Sequence, residues 1–276
     1  MQKILNFIKK NKQFSFFFLL VILLIFVAVF APVIAPQDPY ISDLKNALQA
    51  PNSEHWFGTD KLGRDIFSRL LYGGRTSVLT GLSVAIVSAA VGVTLGCISG
   101  YFGGIIDNLI MRFTDIMMSF PFLIIAIAIM AALGSSQKNI VIALAIVSWP
   151  RFARLTRGQV LSIKTQEYVE SANTAGYSDM RIMFNHILPN CMGPIIVQLT
   201  LAVGSAILSA ASLNFLGLGV DASLPDWGVM LNQGRNYLQT ASYLTTIPGI
   251  AISLTVLAVN WIGDGLRDAF DPRLRV

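Results

Sequence analysis

The chain alternates long apolar blocks with shorter polar stretches. Residues 14–34 form an apolar run of about 20 residues, enough for one helix across a hydrocarbon core about 30 Å thick. Further blocks at 77–100, 120–133, 140–152, 193–216 and 245–262 predict an all-α polytopic membrane protein with about six transmembrane helices. Between the first two, Ile66, Phe67, Leu70 and Leu71 recur at helical spacing and predict an amphipathic helix lying on the membrane face. Residues 101–119, with Asp107, Arg112 and Asp115, predict a second amphipathic segment on the opposite side, and Pro121 opens the block that follows.

One polar stretch, 151–190, is too long and too patterned for a simple connector. Tyr168, Val169, Ala172 and Ala175 share one side of a short helix, while Glu167, Glu170 and Asn173 fall elsewhere. Gly176 predicts a left-handed cap, and Ser178 with Asp179 predicts the start of a second helix that ends before Pro189. The product is a helical elbow beyond the membrane surface. Ala172 and Gly176 offer it a small, smooth docking surface, and Glu170 an acceptor for a basic partner. A surface loop in which Ala and Gly merely suit helix and turn is the competing reading. Two ridges of small residues, Ser88, Gly92, Gly96 and Gly100, then Ala202, Ala206 and Ala210, predict close helix approach. The pattern leaves open whether the first ridge meets a helix of this chain or of a partner.

With 54% hydrophobic and 13% charged residues, the chain is too apolar for a soluble domain. Its charge of +5 is spread around the spans, which argues against nucleic-acid binding. Lys3, Lys9, Lys10 and Lys12 before the first block, with Arg267, Arg273 and Arg275 at the end, predict that both termini are cytoplasmic. The first block reads as an uncleaved anchor rather than a signal peptide. Arg151, Arg154 and Arg157 mark a helix leaving the membrane on the cytoplasmic side, with substrate binding as the competing reading. Cys97 and Cys191 read as free thiols, and His55 and His186 as solvated or hydrogen-bonded surface residues. The sequence has no GxxxxGK[ST] loop, and no catalytic, cofactor or metal constellation is predicted.

Three motifs carry a resemblance. In 151–190, Glu170, Ala172, Gly176, Leu188 and Pro189 match in register the EAA loop, Glu-Ala-Ala, three residues, Gly, nine residues, Ile-x-Leu-Pro; Ser171 replaces the first Ala and His186 the Ile. FGTDKLGRDIFSRLLYGGRTS, from Phe57, and FLGLGVDASLPDWGVML, from Phe215, are similar to two further signatures. Together they resemble bacterial ABC-importer permeases of the binding-protein-dependent, type I importer family, in the dipeptide, oligopeptide and nickel branch, of the DppC and OppC type. The resemblance implies a coupling helix seated on a separate ATPase subunit, with Glu170, Ser171, Ala172, Gly176, Tyr177, Leu188 and Pro189 as coupling residues. It also implies a homologous DppB- or OppB-like permease, two ATPase subunits using ATP and Mg, an extracytoplasmic solute-binding protein and a bacterial cytoplasmic membrane.

Residues 1–75 would be an anchor with an external segment, and 76–276 the permease domain. The solute would be a di- or oligopeptide, with nickel or a metal-chelator complex as the alternative. The segment after Phe215 would face the binding protein, with Trp227 anchored at the membrane interface. Asp60, Arg64, Asp65 and Arg69 have the plain reading of a solvated charged face. A channel or receptor without ATPase partners has no need of the elbow. An intramembrane enzyme is disfavoured because the spans hold almost no paired ionisable residues.

Overall fold

The first apolar block folds as α1 (Lys12–Ile34) in a computed structural model that describes residues 12–270. Lys3, Lys9, Lys10, the Lys12 side chain, Arg273 and Arg275, on which part of the charge argument rests, lie outside the described residues. The chain continues as α2 (Ile66–Phe102), α3 (Gly104–Ser119), α4 (Phe122–Leu133), α5 (Gln137–Lys164), α6 (Glu167–Thr174), α7 (Asp179–Phe215), α8 (Trp227–Gly234) and α9 (Tyr243–Phe270). Among the described residues there is no strand beyond an isolated bridge between Thr59 and Asp65.

Among the described residues, four helices are long and apolar enough to cross a membrane: α1, α2, α7 and α9. The pair α3–α4, bent by 93° where Phe120 and Pro121 interrupt it, adds a fifth crossing if it is one broken span. Against the predicted count of about six, α5 is the remaining segment. Its 28 residues reach about 42 Å, ample in length, but it carries too much polarity to qualify by composition. Packing explains how it tolerates that polarity: Ile140, Leu144, Phe152 and Val160 are buried against neighbouring helices, so lipid does not surround it.

The amphipathic helix expected on the membrane face is a correction. Ile66 to Leu71 are the first turns of α2, which runs unbroken for 37 residues past the expected boundary at 75. Their apolar side is covered by protein: Ile66 clusters with Trp227, Met230 and Leu244. The Asp65 carboxylate caps this helix by accepting from Ser68 N at 2.7 Å.

The first small-residue ridge has its partner within the chain. A Cβ at Gly92 would sit 2.5 Å from the Phe152 Cβ, one at Gly96 2.9 Å from the Thr156 Cβ, and one at Gly100 2.8 Å from the Val160 Cβ. The three glycines therefore line the α2–α5 contact, and Ser88 begins the row by donating to its own helix at Val84 O. The second ridge is buried at Ala206 and Ala210, where it meets Val84, Leu144 and Val147.

Gly96→Leu is expected to destabilise the isolated chain by about 1–3 kcal/mol through overpacking. Gly158→Ala, on the same pair but with open space where its Cβ would go, is expected to be neutral or to stabilise by up to about 1 kcal/mol. Thermal melts in detergent read both, and equal melting for the two variants would remove the ridge from the α2–α5 contact.

Candidate functional site

The elbow forms as α6 followed by the start of α7, and its two faces differ. Val169 and Ala172 point inward and are 2% and 6% exposed, joining Cys97, Tyr101, Val160, Ile182, Met183 and Ile187 in one cluster. Glu167, Glu170, Ser171, Thr174 and Ala175 point outward around a shallow, open hollow. Of the predicted docking residues, Ala172 thus faces the chain's own core, because its small side chain lets α6 lie close to α7. Gly176 takes φ +79, and the backbone N–H of Tyr177 reaches back to Ala172 O at 3.2 Å, the expected left-handed cap.

Tyr177 stands outside, stacked on His186 at 5.9 Å, with the Arg181 guanidinium 4.2 Å from its ring centre. Leu188 is half-buried against the cluster and Pro189 is exposed. The second helix of the elbow does not end before Pro189, as the sequence suggested. Met183–Ile187 widen into a π-helical turn, and the helix continues to Phe215. Proline lacks an N–H and crowds the carbonyl four residues back; the wider turn absorbs that clash without breaking the helix.

Polar bonds fasten the elbow to the bundle. Tyr101 Oη donates to Asp179 at 2.7 Å, and Lys164 Nζ donates to Tyr101 O. Arg157 grips Asp107 with two bonds of 2.5 and 2.6 Å, tying α5 to α3. Arg154 reaches Asp115 in an exposed pair worth little energetically. Arg151, next on the same face, lines a cleft of about 460 Å³ with Ser88, Ser148, Gln198, Ser205 and Ser209. The sequence reading missed this cleft. Its signal was a polar stripe at i, i+7 and i+11, Gln198, Ser205 and Ser209, in the mainly apolar second half of α7.

At the opposite end, residues 36–65 and 216–242 form a cap, and here the solvated charged face is a second correction. Asp60, Arg64, Asp65 and Arg69 are all less than a tenth exposed. Asp60 accepts from Arg64 at 2.7 Å, Arg64 donates to Gln233 at 3.0 Å, and Arg69 donates to the carbonyls of Pro39 and Ser223. His55 is buried rather than at the surface, 3.1 Å from Asp65.

Trp227 is also buried, against Gly73 and Gly74, with its Nε1 donating to Leu70 O at 2.9 Å; it is no interface anchor. Asp226 accepts from Ser77 Oγ, Asn214 Nδ2 and the N–H groups of Gly228 and Val229. Burial pushes its carboxyl above the usual carboxylate range, against the pull of these donors. Cys97 and Cys191 are free, buried thiols.

A family profile described as binding-protein-dependent transport system inner membrane component matches residues 92–276, and one described as N-terminal TM domain of oligopeptide transport permease C matches residues 1–51. The chain is 47% identical over 268 residues to a dipeptide transport system permease protein, DppC, of Alkalihalophilus pseudofirmus, covering 97% of this chain and 88% of the relative. It is 49% identical over 258 residues to a glutathione transport system permease protein, GsiD, of Escherichia coli, covering 93% and 85%. A solved structure titled for inward facing conformations of the MetNI methionine ABC transporter superposes with a TM-score of 0.60 at 17% identity, over 75% of this chain and 98% of that one. That last likeness is one of fold.

Replacing Gly176 by Val is expected to cost about 1–2 kcal/mol locally, because a branched residue resists positive φ, whereas Gly176→Asn should cost less. Hydrogen exchange at the α6 amides measures this. Equal protection in both variants would mean that the cap conformation does not hold the elbow.

Proposed function

The chain belongs to the binding-protein-dependent transport system inner membrane component family as an ABC importer permease subunit, and from that premise we propose that the outer face of α6 seats a separate ATPase subunit. One observation carries this reading. The elbow is held from within by Val169, Ala172 and Ile182, yet presents Glu167, Glu170, Ser171 and Thr174 outward in an open hollow. A surface loop needs no such anchoring. A helix that must take up force from a neighbour does.

In this proposal two ATPase subunits bind ATP with Mg and hydrolyse the ATP, and this chain transmits their closure without hydrolysing anything itself. Glu170, Ser171, Gly176 and Tyr177 meet the ATPase, while Ala172, Leu188 and Pro189 set the pose of the elbow. The elbow end is cytoplasmic: Arg154, Arg157, Lys164 and Arg181 gather there. Both termini lie on that side of a bacterial cytoplasmic membrane. Residues 1–75 supply the anchor, the first cap segment and the start of α2, and 76–276 the transport core with the second cap segment; the cap receives the solute-binding protein and a homologous permease closes the pathway.

The solute is a short peptide. The relatives named above carry a dipeptide and glutathione, both small, peptide-bonded and bearing free carboxylates. Among the described residues, no cluster of His, Cys, Asp and Glu favours nickel or a metal chelate over them.

Glu170→Lys is expected to reduce co-purification of the ATPase subunits with this chain at least several-fold, since it reverses charge at the centre of the docking face. Pull-down from membranes expressing the whole complex measures it. An unchanged ATPase yield would make this carboxylate a solvated bystander.

A further inference from the structure

Three arginines lie on one stripe of α5, and the structure treats them differently. Arg157 is held by Asp107 through two bonds and Arg154 by Asp115. The Arg151 side chain makes no hydrogen bond or ion pair with any described residue. It lies about 21 Å along α5 from Gln137, near the middle of that 28-residue helix. Among helices that cross a membrane, an unpaired cation persists where it faces a water-filled cavity.

That is its setting: the cleft between α2, α5 and α7 is lined by Ser88, Ser148, Gln198, Ser205 and Ser209 beside it. The Gln198 amide and the hydroxyls of Ser148 and Ser205 are likewise without hydrogen-bond partners among the described residues. The cleft therefore offers one fixed positive charge among uncommitted groups that can donate or accept hydrogen bonds. That combination fits a small, polar, anionic solute that keeps part of its hydration as it passes.

We propose that Arg151 is the countercharge for a solute carboxylate inside the translocation pathway, with Gln198, Ser148 and Ser205 bonding the neighbouring polar groups. The inference rests on the permease reading above and adds a solute-facing residue to it. A guanidinium presents two parallel donors to a carboxylate, so Arg151 orients the solute as well as attracting it. Lysine at this position keeps the charge but loses the fork. Glutamine loses the charge, and glutamate reverses it.

The test uses the complete importer in proteoliposomes, assembled with its second permease, ATPases and binding protein, and measures ATP-driven uptake of labelled dialanine. The expected order is Arg151, then Arg151→Lys within about threefold, Arg151→Gln down about tenfold, and Arg151→Glu lower still, as loss of one charge-assisted bond predicts. All three variants should pull down ATPases in wild-type yield. Equal uptake across the series would overturn the proposal. So would a drop in ATPase or second-permease yield for Arg151→Gln, which would make Arg151 an intersubunit ion pair instead. Failure of the wild-type complex to carry dialanine would overturn the peptide reading, and this inference with it.

Discussion

The contact between α2 and α5 is the constraint on which the rest of the bundle depends. In lipid, no water is expelled when two apolar helices meet, so their association rests on close van der Waals fit and hydrogen bonds. Gly92, Gly96 and Gly100 supply that fit by letting the α5 backbone occupy the space of three missing side chains. The row ends at Val160, and Val160 belongs to the same cluster as Val169 and Ala172 of the elbow. The elbow is thus seated on the end of the tightest pair in the bundle, and a push on α6 is delivered to α2 and α5 together.

Polar groups are handled according to where they sit. At the cap end, the Asp60–Arg64–Arg69 group is buried with its donors directed at Gln233 and at backbone carbonyls from distant loops. A buried ion pair adds little net stability over an apolar substitute, because desolvation offsets the attraction. What it provides here is register: the arginines accept no arrangement of residues 36–65 against 216–242 other than one that satisfies their donors. The cap is therefore defined in shape by bonds between its two segments.

The sequence showed most of the elbow and the spans, and it missed features that depend on distant partners. Gly176, the glycine ridge and the apolar blocks are local patterns, and local patterns decide them. The burial of Arg64, Arg69 and Asp60 is settled by Gln233, Pro39 and Ser223, up to 169 residues away, so no window of sequence holds the information. Asp65 and the residues after it looked like a separate amphipathic helix for the same reason: the cover over Ile66 comes from Trp227 and Leu244. The π turn before Pro189 was hidden differently. Proline announces a break, but a helix already anchored through Ile182 and Ile187 loses less by widening one turn than by ending there.

One arrangement links the two ends. α2 and α7 run antiparallel and are bonded to each other near both of their ends. Near the cap, Asp226 bridges Ser77 on α2 and Asn214 on α7; at the elbow, Tyr101 on α2 bonds Asp179 on α7. Two helices joined at both ends shear past one another only if one of those bonds breaks, so a load applied at Asp179 tilts them as a unit. The tilt then reaches Asp226 and the cap through hydrogen bonds already in place. The cleft that holds Arg151 is bounded by these same two helices and α5. The walls of the cleft therefore tilt together and carry Arg151 with them, so a load taken up at the elbow reaches the cleft as a movement of its whole frame.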